Sequence, residues 1–343
     1  MVTHMQGPRP GRRAVLALGA GAVAAALAPA QWAGAAQWAG AARAPDRRLP
    51  ALSAPGRQFF AGRLRHSTVI QSFAIDERHG HLYALQVVAG GVRLPGETVA
   101  LSHAERARRG DLCLNRLTLG GADAGHMYLK GFGHGGSIGL EESAGAVTVW
   151  TEWDAHPSSG YGRGVCRFRF TSGQVLERGS RALGTYRPAP GSTSNFPALD
   201  VAHRQLLLRY KREGIPRFAL YGLDEFRNGW FAPLADFAQP GAGLGLPFQG
   251  MALYGDYAYQ ILGSGYGAGN PASAGGNTRL YRMDLRSGLV VWQQLDRTAP
   301  GLTPREPEGL AVLAGSGAPR LCLGFTEGPA GKRTFRLYDK ALS

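Results

Sequence analysis

Lysine is almost missing from this 343-residue chain: four of its 38 basic residues are lysines, at 130, 211, 332 and 340. Against 24 acidic residues the formal charge is still +14. The surplus is therefore arginine. Such a balance suits anionic partners, but an arginine-rich, alanine-rich composition also follows from GC-rich coding. No dense basic run marks a nucleic-acid surface, since RLRH (63–66) and RARR (106–109) are short. Nucleic acid is set aside on that ground. Cysteine is scarce too. Cys113, Cys166 and Cys322 are odd in number, widely spaced and in no CxxC pattern, which excludes a disulfide scaffold and a thiolate metal site. Each lies in an apolar, strand-like run and reads as a buried free thiol. There is no P-loop and no HExxH pair. The glycine-rich stretches 241–250 and 263–276 open no helix, as a dinucleotide fingerprint must, and read as loops. No cofactor and no metal is called for.

Long apolar runs are also absent, apart from one at the start. Residues 11–30 read GRRAVLALGAGAVAAALAPA. Two arginines, a short run of small apolar residues and Ala28-Pro29-Ala30 fit a secretory signal peptide of the twin-arginine type. The run is too short and too weakly apolar for a membrane span, so no transmembrane anchor is expected in the mature protein. Loss of Arg9, Arg12 and Arg13 with the signal leaves the chain strongly basic. The tandem AQWAGAAQWAGAA (30–42) leaves the cleavage site open. The expected division is signal and Ala-rich linker over 1–42, further linker over 43–56, and one domain over 57–343.

What is abundant is glycine, 51 residues, and proline, 21. Long helices are excluded; the one helical patch is Ser102 to Arg109, with a serine cap and a glutamate three residues on. Short β-branched and aromatic runs separated by turn residues recur from Ser67 to the end. Five segments align: QSFAID (71–76), GSIGLE (136–141), NFPALD (195–200), QGMALY (249–254) and EGLAVL (308–313). Aligned on Ala74, Gly139, Ala198, Ala252 and Ala311, they stand 65, 59, 54 and 59 residues apart. A second strand follows each, such as HGHLYALQV (79–87) and RQLLLRYK (204–211), and then a third, such as GVCRFRF (164–170). A period near 60 residues with three or four strands is the size of a propeller blade. The fold is thus expected to be an all-β, five-bladed β-propeller. The last unit has three strands, and QFFAGRLRH (58–66) supplies the fourth, closing the ring and removing an open sheet edge.

In a propeller the residues leading into the innermost strands gather at one mouth of the central channel. Three places before each alignment point stand Gln71, Gly136, Asn195, Gln249 and Glu308. Four of these five are polar, and His134 and Ser137 fall near the same level. Arg305 and Glu306, in TPREPEGLAV (303–312), are expected to overhang it from the last blade. The candidate ligand-binding set is Gln71, His134, Ser137, Asn195, Gln249, Arg305, Glu306 and Glu308. Such amides, hydroxyls and carboxyls suit a polyhydroxylated ligand, and Phe132, Trp153, Tyr161, Phe196 and Phe248 are candidate stacking faces.

Cleavage is the alternative. His134, Arg305 and Glu308 are its candidate catalytic residues, with Arg305 neutralising a uronate and His134 or Tyr161 as base in a lyase. For a hydrolase, Glu306 and Glu308 are two apart on one segment and make a poor acid and nucleophile pair by themselves. Glu308 would then need Glu141, Glu152 or Asp154 as its partner.

QSFAID, GDLCLNRLTL (110–119), GHMYLKGFGHGGSIGLE (125–141), SNFPALD (194–200), QGMALYGDYAY (249–259), GNTRLYRMDL (276–285) and REPEGLAV (305–312) together resemble the TagC-like β-propeller family. That family takes in the teichoic acid biosynthesis protein C proteins and the receptor-binding propeller of certain phages. The resemblance covers 67–340 and implies a five-bladed propeller associated with cell-wall glycopolymers. It implies no catalytic residue. Together these readings describe a secreted or wall-associated module that recognises a teichoic-acid-like glycopolymer or acidic polysaccharide.

Overall fold

The computed structural model describes residues 50–342 apart from 144 and 316. The expected signal and Ala-rich segment, 1–42, lies outside the described residues. Among the described residues no helix is long and apolar enough to cross a membrane.

A one-turn helix, α1 (Pro50–Ser53), precedes β1 (Arg57–Gly62). Blade one holds β2 (Ile70–Asp76), β3 (His81–Val87), α2 (His103–Arg109), β4 (Leu112–Thr118) and β5 (Asp123–Lys130). Blade two holds β6 (Ile138–Ser143), β7 (Ala146–Ala155) and β8 (Gly162–Arg169). The short β9 (Val175–Glu177) turns back to pair in parallel with β5, and β10 (Gly184–Tyr186) then completes blade two. Blade three is β11 (Thr193–Asp200), β12 (Gln205–Arg212), β13 (Ile215–Gly222), α3 (Leu223–Arg227) and β14 (Ala235–Ala238). Blade four is β15 (Phe248–Tyr254), β16 (Tyr257–Leu262), β17 (Arg279–Asp284) and β18 (Val290–Leu295). Blade five is β19 (Pro304–Leu313), β20 (Arg320–Glu327) and β21 (Thr334–Ala341), with β1 as its outer strand.

The fold is the five-bladed propeller read from the repeat, and the N-terminal strand closes it. β1 pairs antiparallel with β21 from Arg57↔Asp339 to Gly62↔Phe335. Phe60 stacks on Phe335 at 5.5 Å, which adds apolar burial to the ladder. Residues 50–56, expected as linker, are docked on the ring instead. Leu52 is fully buried against Leu302, Tyr338 and Leu342. The buried ammonium of Lys340 needs acceptors, and it donates to the carbonyls of Leu52 at 3.1 Å and Ala54 at 2.6 Å.

The helix expected at Ser102 forms with its capping box complete. The three cysteines are buried free thiols on β4, β8 and β20. Small residues at the alignment points let the five inner strands approach the axis. At Gly139 a Cβ would stand 2.4 Å from Leu199, so even alanine would crowd the channel.

Candidate functional site

The inner strands β2, β6, β11, β15 and β19 bring their starts to one end of the channel and their ends to the other. The end where they finish holds a cavity of about 230 Å³, lined mostly by apolar residues such as Ile75, Leu140, Met251 and Val312. The end where they start holds one of about 810 Å³, to which all five blades contribute. A local irregularity explains what faces this larger cavity. The ladder between inner and second strand slips at Ile70/Ser72 in blade one, Thr193/Phe196 in blade three and Phe248/Gly250 in blade four. It slips twice in blade five, at Pro304/Glu306 and Pro307/Leu310. The residues left outside the ladder include Gln71, Asn195, Gln249, Arg305 and Glu308. A bulge frees its extra residue from pairing and re-aims the side chain. The polar position seen in the repeat is thus a recurring bulge position.

Bulging does not send every one of these side chains the same way. Gln71, His134, Gln249, Glu306 and Glu308 line the large cavity, as do Tyr161, Phe196 and Phe248. Ser137, Asn195 and Arg305 do not. The Ser137 hydroxyl donates to the Pro197 carbonyl. Gly135 to Gly139 does spell GxSxG, but this serine enters β6 and sits on no strand-to-helix elbow. Asn195 is fully buried and donates to Gly162 O at 3.2 Å and Ser192 Oγ at 3.0 Å.

Arg305 points away from the mouth. It donates to Thr298 O at 2.7 Å, Thr278 Oγ1 at 2.9 Å and Asp296 O at 3.0 Å, and its φ of 51° lies in the left-handed region. It ties blade four to blade five, so Arg305 brings no guanidinium to the cavity for the uronate-neutralising role considered for it. Glu306 and Glu308, set aside as a pair, both reach the cavity, since positions two apart on a strand share a face. Of the other stacking candidates, Phe132 is wholly buried against Phe168, and Trp153 donates to Arg178 O outside the cavity. Glu141 and Asp154 are held by arginines, in pairs with Arg227 and with Arg163.

Residues 69–339 match the family described as the phage 5-bladed beta propeller receptor binding platform domain. The chain belongs to that family. It is also 27% identical over 287 residues to a Bacillus subtilis (strain 168) protein whose name links it to major teichoic acid biosynthesis, as protein C. That match takes in 80% of this chain and 60% of the relative. The tail fiber of Staphylococcus aureus phage P68 superposes with a TM-score of 0.63 at 20% identity, over 83% of this chain and 52% of the fiber. The chain therefore spans little more than half the length of these relatives, and the likeness to the fiber carries the fold alone.

In this propeller the electrostatics of the cavity depart from those of open water. His134 is packed against Tyr161, with ring centroids 4.9 Å apart, and burial pulls its pKa down to about 4. It is a neutral imidazole at pH 7. Burial, and then the neighbouring Glu306, push the Glu308 carboxyl well above the usual carboxylate range. Among the described residues no hydrogen bond or ion pair satisfies Glu308, which leaves its carboxyl free to meet a ligand.

Three residues outside the expected ligand-binding set shape the site, of which only Glu152 was named, as a hydrolase partner for Glu308. Glu152 is fully buried, and its carboxylate accepts from Gly135 N at 2.5 Å and Gly162 N at 2.6 Å. Burial raises its pKa to about 7 against the pull of those donors. It fixes the two backbones that carry His134 and Tyr161. The others are Arg209 and Gln239, both cavity-lining and both buried. A signal for Glu152 and Arg209 lay in the repeat. Ladder positions equivalent to theirs hold Leu85 in blade one and Ile261 in blade four, where the fold uses apolar side chains.

Proposed function

We propose that this propeller is an exported recognition module that binds a cell-wall glycopolymer in the 810 Å³ cavity at the starts of its inner strands. One observation carries the reading. Bulged amides and carboxyls from several blades converge on a single concavity beside the stacked rings of Phe196 and Phe248, 5.7 Å apart at 13°. Polyhydroxylated chains present hydroxyls along their edges and C–H faces above and below their rings. Polar groups placed at fixed points around an aromatic face match that alternation. The arginine-dominated net charge of +14 favours an anionic polymer over a neutral one. Family membership and the name of the Bacillus subtilis relative support a wall polymer of the teichoic type. The twin-arginine pattern at the start of the chain supports an extracellular or wall-associated location.

The test uses the chain from residue 43 and purified teichoic polymers, with binding and polymer length followed together. The expected result is saturable binding without shortening, weakened by Gln249→Ala. No binding to any wall polymer would sink the reading. Cleavage remains the second reading because Glu306 and Glu308 share the cavity. Polymer shortening that disappears in Glu308→Gln would establish it in place of the first.

A further inference from the structure

We propose that Arg209 is the receptor for one oxyanion of the ligand, a phosphodiester or a carboxylate, gripped by the two terminal nitrogens of its guanidinium. This inference rests on the cavity being the binding site and names the group that the site selects.

Arg209 lies on β12, directly across the ladder from Phe196, and is 6% exposed. Its guanidinium carbon stands 5.4 Å from the centre of the Phe196 ring and 4.7 Å from that of Phe248. Its Nε donates to Gln239 Oε1 at 2.9 Å. Among the described residues its terminal nitrogens have no hydrogen-bond partner, and no carboxylate lies within ion-pair distance. The charge is kept all the same: burial lowers the pKa only to about 10.

A buried cation without a counterion is costly, and one hydrogen bond with two ring faces offsets only part of that cost. The fold does not need the charge, because Leu85 and Ile261 fill the equivalent places in blades one and four. The remaining donors form a planar fork suited to two oxygens of one anion. Gln239 and the two rings hold that fork in place before any ligand arrives. The acids sharing the cavity do not supply the missing anion. Neither Glu306 nor Glu308 pairs with Arg209 among the described residues, and burial pushes both carboxyls up. Glu152, which lies outside the lining, is engaged by backbone donors. Lys211 stands two residues along the same strand face, about 7 Å further on at strand spacing. It is half-buried on the cavity lining and opposite Thr193. A second anion of a repeating polymer would meet it there.

The experiment measures binding of the chain from residue 43 to four probes: poly(glycerol phosphate), polygalacturonate, neutral dextran and inorganic phosphate as competitor. Arg209→Leu copies the side chain that blade one already holds, and Arg209→Lys keeps the charge but loses the fork. The expected result is that one anionic polymer binds, dextran does not, and phosphate competes. Arg209→Leu should lose about 30- to 1,000-fold in affinity and Arg209→Lys about 10-fold. The slope of log affinity against log salt should shrink by about one in Arg209→Leu. Whether the phosphate or the uronate polymer binds identifies the source of the anion. Wild-type affinity in a folded Arg209→Leu overturns the inference and leaves glycopolymer binding standing. If no wall polymer binds, but polygalacturonate or phosphate does so through Arg209, the wall-polymer reading fails and the anion site stands. Should Arg209→Leu not fold, the Arg209→Lys affinity decides: a loss supports the fork, and no loss overturns it.

Discussion

Replacing Arg305 with methionine should cost stability and spare affinity. The guanidinium is 1% exposed and gives three hydrogen bonds, to Thr298 O, Thr278 Oγ1 and Asp296 O. It also lies 3.5 Å from the Asp296 carboxylate. Removing it strands three buried acceptors. Breaking a buried ion pair commonly costs about 3–5 kcal/mol, because a charge is left bare. Here Asp296 is not left bare, since Lys340 stays 2.6 Å away and Thr298 still donates to it. Methionine also restores most of the volume. The lower end follows, about 3 kcal/mol. A domain of this size loses roughly 2–4 °C of Tm per kcal/mol, so the midpoint should drop by about 6–12 °C. Urea unfolding and polymer binding are read on the same preparation below the midpoint. A variant that unfolds like the wild type yet no longer binds would refute the reasoning and return Arg305 to the mouth of the channel.

Gln71→Ala and Gln249→Ala should each weaken polymer binding about 3- to 10-fold, the worth of one neutral hydrogen bond, with Tm nearly unchanged. His134 should titrate near pH 4 in an NMR series of imidazole resonances. Between pH 4 and the ordinary 6.5 the unfolded chain takes up a proton that the folded chain refuses, so this group lowers stability as pH falls through that window. Glu152 acts in the opposite sense. Its pKa is raised from 4.5 to about 7, so its contribution is present below 4.5 and is lost as pH rises through 7. Glu152→Gln should abolish that second slope in urea unfolding. It should also cost about 1–3 kcal/mol at pH 5, because an amide nitrogen then faces backbone donors. An unchanged slope would show that another group titrates there.

The fold was legible because a blade is a local object. Its turns, its alternation and its small channel-facing residue are all written within about 60 residues, and they recur five times. Even ring closure could be read, since a three-stranded last unit requires a fourth strand from elsewhere. The site was legible only in part, and the reason is register. Alignment finds the residue at the bulge, but not the direction in which the bulge turns it. Gln249 and Asn195 occupy the same place in the repeat. The Gln249 amide donates to Gly263 O and still lines the cavity, whereas Asn195 is consumed by Ser192 and Gly162. Arg305 and Glu308 are three residues apart on one strand, an odd separation that turns them to opposite faces, and they end in different surroundings. Arg209 escaped notice for another reason. Polar groups were sought on the inner strand, where the channel is, while this one reaches the cavity from the second strand across Phe196. A charge at a ladder position that blades one and four fill with leucine and isoleucine breaks the repeat without serving the core. In a repeat protein, such a break in an apolar position is stronger evidence of a ligand than a polar residue at the rim, since the rim is wet in any case and the core is not.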